Sequence, residues 1–102
     1  MKKKILNLFG LAFRSSNVYL GEEMVVENIT KAKICFLASD AGPNTTKKIT
    51  NKCAYYNVPL YTIFTRSEIS SAIGKDRVVI AIKDAGFKNK MEQIMKEGEL
   101  ND

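Results

Sequence analysis

The stretch ICFLASDAGP, residues 34–43, decides the fold class of this chain of 102 residues. Its first half, residues 34–38, is a continuous apolar run, which is typical of a strand covered on both faces of a sheet. Its second half, residues 39–43, has the residue types of a tight turn. A strand of this kind needs helices on both sides of its sheet, so the stretch predicts an α/β protein.

Further strands and helices alternate on both sides of this stretch. Short apolar segments predict strands at 18–20, 60–64 and 78–82, and helical spacing of apolar residues predicts helices at 3–14, 22–30, 45–56, 67–74 and 85–96, with Ser67 as the cap of the fourth. The alternation predicts one domain over residues 1–102. This domain is a three-layer α-β-α sandwich around a central four-stranded, mostly buried sheet, with a frayed C-terminal tail from about residue 98.

Charge and composition exclude several classes of function. The chain has 16 Lys+Arg against 11 Asp+Glu, a formal net charge of +5, and Lys2, Lys3 and Lys4 form a basic leader. It has no His, the commonest general base, and no apolar run near the ~20 residues that a membrane span needs. We therefore expect no membrane, metal, cofactor or small-molecule substrate as a partner, and the excess of cations suits contacts with phosphate.

The first residues and the cysteines both indicate the cytoplasm. Residues 1–11 have the basic start of a secretory leader, but Asn7 interrupts the apolar stretch and Arg14 stands where a cleavage site needs small residues. Cys35 and Cys53 lie among apolar residues without Cys-x-x-Cys spacing or a His partner, which predicts reduced core thiols. We expect an amphipathic first helix in a cytoplasmic protein.

No combination of residues supports an enzyme. The Gly74-Lys75 pair does not belong to a P-loop. That motif needs Gly five residues before the pair, where this chain has Ile69, and Ser or Thr directly after it, where this chain has Asp76. Asp40 follows a buried strand, a position used for acid chemistry or Mg²⁺ in open α/β sheets, but it stands alone beside a turn sequence. We interpret Asp40 as a turn residue and predict no enzymatic activity. A deep pocket at Asp40 with a second carboxylate would revive the alternative.

Five segments occur in an order that is typical of one protein family. They are GEEMVV (21–26), AKICFLASD (32–40), NTTKKITNKC (44–53), NVP (57–59) and AIGKDRVV (72–79). With the order of the predicted elements, they resemble the ribosomal protein L7Ae family, whose members bind RNA kink-turns, and in particular its small bacterial YlxQ-like branch. The resemblance covers roughly residues 8–90. It implies a compact α-β-α domain that binds a sharply bent RNA helix.

The resemblance implies RNA contacts at the start of the second helix and in the loop before the fourth. A kink opens the normally narrow major groove of an A-form helix, which lets side chains enter it. The implied RNA-binding residues are Gly21, Glu22, Glu23, Met24, Glu27, Lys31, Thr65, Arg66 and Ser67. Further candidates for phosphate contacts are Lys33, Arg14, Lys2, Lys3 and Lys4. We expect the two regions to form one continuous surface.

The chain departs from the family pattern in the second helix. The archaeal pattern has Asn-Glu and, three residues later, Lys, whereas this chain has Glu23, Met24 and Glu27. The two carboxylates would repel phosphate, although Glu23 could accept hydrogen bonds from guanine. Two hypotheses stay open. One is a non-enzymatic RNA-binding protein that recognises kink-turn-like RNA and associates with the ribosome. The other is a protein-interaction module on the same fold that has lost the RNA contacts.

Two groups on the third helix are interpreted as structural. Lys47, Lys48 and Lys52 are expected to be solvated, and they cannot reach the same RNA if this helix lies away from the second. Tyr55 and Tyr56 stand beside the end of the helix, where aromatic residues favour core or rim packing over base stacking.

Overall fold

The computed structural model of the chain describes residues 1–101, and the side chains of residues 1–98. The described residues form five α-helices, one 3₁₀ helix and four strands. In chain order these are α1 (Lys2–Arg14), β1 (Val18–Leu20), α2 (Glu22–Glu27), the 3₁₀ helix (Ile29–Lys31), β2 (Ile34–Leu37), α3 (Pro43–Tyr55), β3 (Leu60–Tyr61), α4 (Arg66–Ile73), β4 (Val79–Ile82) and α5 (Ala85–Asn101). None of these helices combines the length and apolar character that crossing a membrane requires.

The four strands form one mixed sheet in the order β1-β4-β2-β3. β4 is antiparallel to both of its neighbours, and β2 is parallel to β3. Every residue of β2 and β4 is buried, because these two central strands are covered on both faces. The expected α/β sandwich with a central four-stranded sheet is confirmed.

The two faces of the sheet are packed against different helices. Side chains alternate along β2 and β4, so successive residues enter opposite cores. The core on the side of α1, α4 and α5 contains Phe9, Ile34, Phe36, Phe64, Ile69, Ile80, Ile82 and Met91. The core on the side of α2 and α3 contains Val25, Cys35, Leu37, Ile49, Cys53, Val79 and Ala81. Both cysteines are free and buried thiols, as their apolar surroundings in the sequence predicted.

One end of the sheet gathers four segments, and we call it the Gly21 end. Gly21 follows β1, residues 38–40 follow β2, residues 64–66 follow β3, and Arg77 precedes β4. Backbone hydrogen bonds join these segments: the Gly21 amide donates to the Val79 carbonyl at 3.0 Å, and the Ser39 amide donates to the Phe64 carbonyl at 2.8 Å. The chain therefore brings segments distant in sequence to one end of the fold.

The opposite end, which we call the Lys33 end, contains Asn17, Lys33, Pro59 and Lys83. The Lys33 amide donates to the Ile82 carbonyl at 2.8 Å, and the Lys83 amide donates to the Asn17 carbonyl at 3.0 Å. Both α2 and α3 run from the Gly21 end to the Lys33 end. α2 follows β1 at the Gly21 end and leads to the start of β2 at the Lys33 end, and α3 connects β2 to β3 in the same way.

The second helix and the third strand are shorter than predicted. α2 ends at Glu27, where the Asn28 side chain donates to the Met24 carbonyl at 2.9 Å and competes with the helical hydrogen bonds. A 3₁₀ turn follows it. β3 is an edge strand that pairs with β2 only through Leu60 and Tyr61, not over 60–64.

The fourth and fifth helices differ from prediction at their termini. The prediction that Ser67 caps the fourth helix is wrong, because Thr65 is its N-cap. α5 continues to Asn101, beyond the predicted end at residue 96. The expectation of fraying from residue 98 stays a prediction, and Asp102 lies outside the described residues.

Candidate nucleic-acid interface

Gly21 joins β1 to α2 in a conformation that only glycine adopts readily. Its φ is 87° and its ψ is 160°, a region in which a side chain is strained. Its amide donates a hydrogen bond to the Val79 carbonyl, and its carbonyl accepts one from the Val25 amide at 3.0 Å. A Cβ at this position would lie 3.6 Å from the Arg77 side chain, so the glycine and the arginine are close neighbours.

The start of α2 is open to solvent and acidic. Val25 anchors the helix in the core, while Glu23, Met24 and Glu27 are exposed, Met24 by 46 %. Glu22 is half-buried. This helix therefore presents two unburied carboxylates around an exposed apolar side chain.

Lys48 of α3 lies beside this acidic helix. Its Nζ is 3.5 Å from Glu22 Oε2, and it lines a groove of about 330 Å³ between the two helices with Glu22, Glu23, Val26 and Glu27. The sequence indicated a solvated lysine, and the side chain is indeed exposed. However, α3 packs directly against α2, so Lys48 contributes its charge at the start of α2.

A capping box fixes the loop before α4. The Glu68 amide donates to Thr65 Oγ1 at 3.2 Å, and the Thr65 amide donates to Glu68 Oε1 at 2.9 Å. The second bond lowers the pKa of Glu68, because it stabilises the carboxylate. Lys2 Nζ lies 3.3 Å from the same oxygen. The capping box thus fixes the loop backbone at Thr65 to the first turn of α4, and Lys2 ties this turn to α1.

Arg66 is exposed but held in a defined direction. Its Nε and Nη2 donate to the two oxygens of Asp76, each at 2.7 Å, and its backbone amide donates to Asp40 Oδ1 at 2.8 Å. The bond to Asp76 raises the pKa of the Arg66 guanidinium, and the same bond lowers the pKa of Asp76. Asp76 therefore occupies the edge of the guanidinium whose geometry also matches a phosphate.

Asp40 therefore has a structural partner. Its exposed carboxylate accepts from the first residue of α4 and so ties the turn after β2 to the loop before that helix. In the part of the chain that the structure describes, no three Cys, Asp or Glu side chains are grouped so that they could hold a metal ion.

Arg77 connects the two regions, and the sequence did not single it out. Its side chain lies against Gly21, its guanidinium donates to the Asp76 carbonyl at 2.9 Å, and its amide donates to Ser70 Oγ at 3.0 Å. Its place directly before a buried strand was visible in the sequence. Only the position of β4 between β1 and β2 shows that this place adjoins Gly21.

The structure brings most, but not all, of the sequence-predicted site residues together. Those at or beside the Gly21 end are Gly21, Glu22, Glu23, Met24, Thr65, Arg66, Ser67 and Lys2. Lys3 and Lys4 are exposed in the first turn of α1, and Lys3 lines a groove between α1 and α4 with Arg14 and Ser67. Glu27 is at the far end of α2, and Lys31 and Lys33 lie toward the Lys33 end.

The family model of the ribosomal protein L7Ae/L30e/S12e/Gadd45 family matches residues 3–92 of this sequence. The chain belongs to this family. The match spans all five α-helices as far as the middle of α5, so the L7Ae-family resemblance that the sequence motifs indicated is confirmed.

Individual L7Ae-family proteins resemble the chain over most of its length. The RNA-binding protein YlxQ of Enterococcus faecium is 42 % identical over 97 residues, covering 93 % of this chain and 94 % of that protein. The RNA-binding protein YlxQ of Bacillus subtilis (strain 168) is 43 % identical over 91 residues, covering 86 % and 91 %.

Solved structures share the architecture. A protein of unknown function from Bacillus halodurans C superposes with a TM-score of 0.84 at 41 % identity, covering 91 % of this chain and 97 % of that one. The Giardia lamblia 15.5kD RNA binding protein superposes with a TM-score of 0.76 at 20 % identity, covering 93 % and 84 %. At this lower identity the second likeness concerns the fold alone.

Proposed function

We propose that the chain is a cytoplasmic, non-enzymatic RNA-binding protein that recognises kink-turn-like RNA, associates with the ribosome, and uses the Gly21 end as its contact surface. The observation that carries the proposal is the convergence of Gly21, Arg77 and Arg66 on one end of the sheet, where Arg66 is exposed and the other two are half-buried. The relatives that are named RNA-binding proteins, at 42 % and 43 % identity, support RNA as the partner.

The ion pairs at the Gly21 end reduce the electrostatic objection to RNA. Glu22 is paired with Lys48, and Asp76 is paired with Arg66. Arg77 adds a positive charge beside the start of α2. Glu23 remains exposed at the same place, where a carboxylate can accept from the Watson–Crick donors of a guanine that a kink has unpaired.

Arg66 is the side chain that we expect to bind phosphate at this surface. A phosphate offers the same bidentate acceptor geometry as the carboxylate of Asp76, so RNA would share or replace that partner. The capped loop already holds the Arg66 backbone in place, so binding RNA costs little further loop entropy.

The test compares a kink-turn RNA containing tandem G·A pairs with a straight RNA duplex of equal length, using calorimetry at several KCl concentrations. Wild-type protein is expected to bind the kink-turn more tightly. Arg66→Gln is expected to weaken kink-turn binding by at least about tenfold, the loss of charge-assisted hydrogen bonds. Lys90→Gln, an exposed control on α5, is expected to change it less than about twofold. Equal affinities for the two RNAs would refute the proposal.

Arg66→Gln is preferred to Arg66→Glu because of the neighbours of Arg66. A new carboxylate would face both Asp76 and Asp40, so it would disturb the loop through like-charge repulsion. A loss of RNA binding in that variant would then mix two causes. Gln keeps a hydrogen-bond donor and adds no carboxylate, although it also releases Asp76 from its bidentate partner.

The second candidate function is a protein-interaction module. Met24 is 46 % exposed on α2, with Glu23 and Glu27 also exposed on that helix, which suits a partner surface rich in Lys or Arg. Glu23→Gln/Glu27→Gln separates the hypotheses. If the chain is a protein-interaction module, this double variant weakens capture of basic ribosomal proteins. If it is an RNA-binding protein, the variant alters RNA affinity and leaves protein capture unchanged.

A further inference from the structure

The Lys33 end carries lysines that form no ion pair with any carboxylate among the described side chains, residues 1–98. Lys33 precedes β2, Lys83 follows β4, and Lys31 ends the 3₁₀ helix two residues before Lys33. All three are exposed. Among residues 1–98, no carboxylate oxygen lies within 4.0 Å of any of their Nζ atoms, whereas Lys2, Lys48 and Arg66 near the Gly21 end are each ion-paired.

The backbone holds these lysines close together. The Lys33 amide donates to the carbonyl of Ile82, the residue before Lys83, so the two lysines stand at the ends of neighbouring strands. The backbones of neighbouring strands are about 4.8 Å apart, so the two side chains start from adjacent positions. Like charges on adjacent strands repel one another, and an anion placed between them removes that cost. The cluster is therefore suited to a phosphate group.

The nearby acidic groups keep their negative charge but form no ion pair with these lysines among residues 1–98. Asp84 Oδ2 accepts from the Phe87 amide at 2.9 Å and so caps the start of α5. Glu27, four residues before Lys31, is exposed and forms no ion pair with it within the described part of the chain. The Lys83 ammonium lies over the Tyr19 ring at 5.0 Å, which restricts its position without reducing its charge.

The end of α3 adds aromatic surface to the same end of the sheet. Tyr55 is 78 % exposed and Tyr56 is 40 % exposed, with ring centroids 4.8 Å apart in an edge-to-face arrangement. These rings lie in the turn that leads to Pro59, whose carbonyl accepts from the Cys35 amide at the Lys33 end. The sequence favoured a packing role for both rings, but Tyr55 is largely exposed. The lysines are suited to the phosphates of any sequence, and the rings would add stacking only where a strand is unpaired.

We infer that the Lys33 end is a second RNA-contact surface, which binds the phosphates of a segment other than the kinked one through Lys31, Lys33 and Lys83. The two ends of the sheet face opposite directions on a molecule with extents of 33 × 27 × 25 Å, so contacts at the Lys33 end are separate from those at the Gly21 end. The inference takes from the proposed function only that the partner is RNA. It predicts contacts that are independent of sequence and of the kink.

The test measures binding of a straight RNA duplex of about 20 base pairs without G·A mismatches, by fluorescence anisotropy between 50 and 200 mM KCl. Each phosphate contact contributes about 0.9 to the slope of log affinity against log salt. Lys33→Gln/Lys83→Gln removes two contacts, so it is expected to reduce the magnitude of that slope by about 1.8. Between 50 and 200 mM KCl the variant should therefore lose about twelvefold less affinity than wild-type protein. The matched control Lys90→Gln/Lys96→Gln removes the same charge from exposed positions of α5. It is expected to leave the slope unchanged.

Equal slopes for these two double variants would overturn the inference, whatever the affinity for a kink-turn RNA. An acidic protein as the true occupant would produce that outcome. Conversely, a reduced slope in Lys33→Gln/Lys83→Gln without any kink-turn preference in wild-type protein would refute the proposed function and support the inference.

Amide NMR of wild-type protein with the same duplex provides a measurement that needs no variant. Shifts are expected for residues 31–33 and 83. Shifts confined to the Gly21 end would overturn the inference.

Discussion

Replacing Gly21 by alanine is expected to destabilise the folded protein through the backbone alone. The residue has φ 87° and ψ 160°, and both its amide and its carbonyl are hydrogen-bonded. The added Cβ would lie 3.6 Å from the Arg77 side chain, which is an ordinary contact, so steric overlap contributes nothing. The cost is that of a strained conformation, about 1–3 kcal/mol in the free energy of unfolding.

Two other glycines make the prediction quantitative. Gly74 has φ 74° and ψ 18°, the left-handed helical region, where alanine costs about 1–2 kcal/mol and asparagine less. Gly42 has φ −63° and ψ 158° with open space around it, so Gly42→Ala is expected to lie within about 0.5 kcal/mol of wild type. Asparagine should therefore rescue position 74 but not position 21.

Urea unfolding monitored by circular dichroism measures these differences in the free energy of unfolding. Thermal melts provide a check, because each kcal/mol lost should lower the Tm by about 4–8 °C. The expected order of loss is Gly21→Ala, then Gly74→Ala, then Gly42→Ala. A Gly21→Ala protein within about 0.5 kcal/mol of wild type would refute the reasoning, as would rescue of position 21 by asparagine.

Three further outcomes are expected. Thr65→Ala should lower the free energy of unfolding by about 1 kcal/mol and Ser67→Ala by less than about 0.5 kcal/mol, and equal losses in urea titrations would contradict Thr65 as the cap. The hydrogen bond from the Thr65 amide lowers the pKa of Glu68, so this carboxylate stabilises the fold above its unfolded pKa and loses that effect as pH falls through its lower folded pKa. Glu68→Gln should therefore reduce the loss of stability below about pH 4. An acid-unfolding profile equal to that of wild-type protein would contradict this. Cys35 and Cys53 should not react with a disulfide reagent until guanidinium unfolds the protein, because both are buried. The hydrogen bond between them raises the pKa of Cys35 and lowers that of Cys53, so burial alone protects Cys53, and rapid labelling of the native protein would contradict this.

The central strands could be predicted from the sequence because burial on both faces leaves a local signal. β2 and β4 are continuous apolar runs, and the structure buries every residue of both. The N-terminus of α4 also has a local signal. Thr65 and Glu68 have the spacing of a capping box, which places the cap two residues before the predicted Ser67.

The composition of the candidate site could be predicted only in part, because strand order depends on pairing between distant segments. Arg77 adjoins Gly21 only since β4 lies between β1 and β2. For the same reason, no local pattern could separate Lys33 from Arg66, although the structure places these two cations at opposite ends of the sheet.

The central position of β4 has a consequence for how the protein is made. The strand at residues 79–82 is the last to be synthesised, yet β1 and β2 both pair with it and not with each other. The edges of β1 and β2 that pair with β4 therefore stay unpaired until residues 79–82 have been synthesised and have joined the sheet. Arg77 reaches Gly21 only at that moment, so a nascent chain gains the complete Gly21 end in one late step.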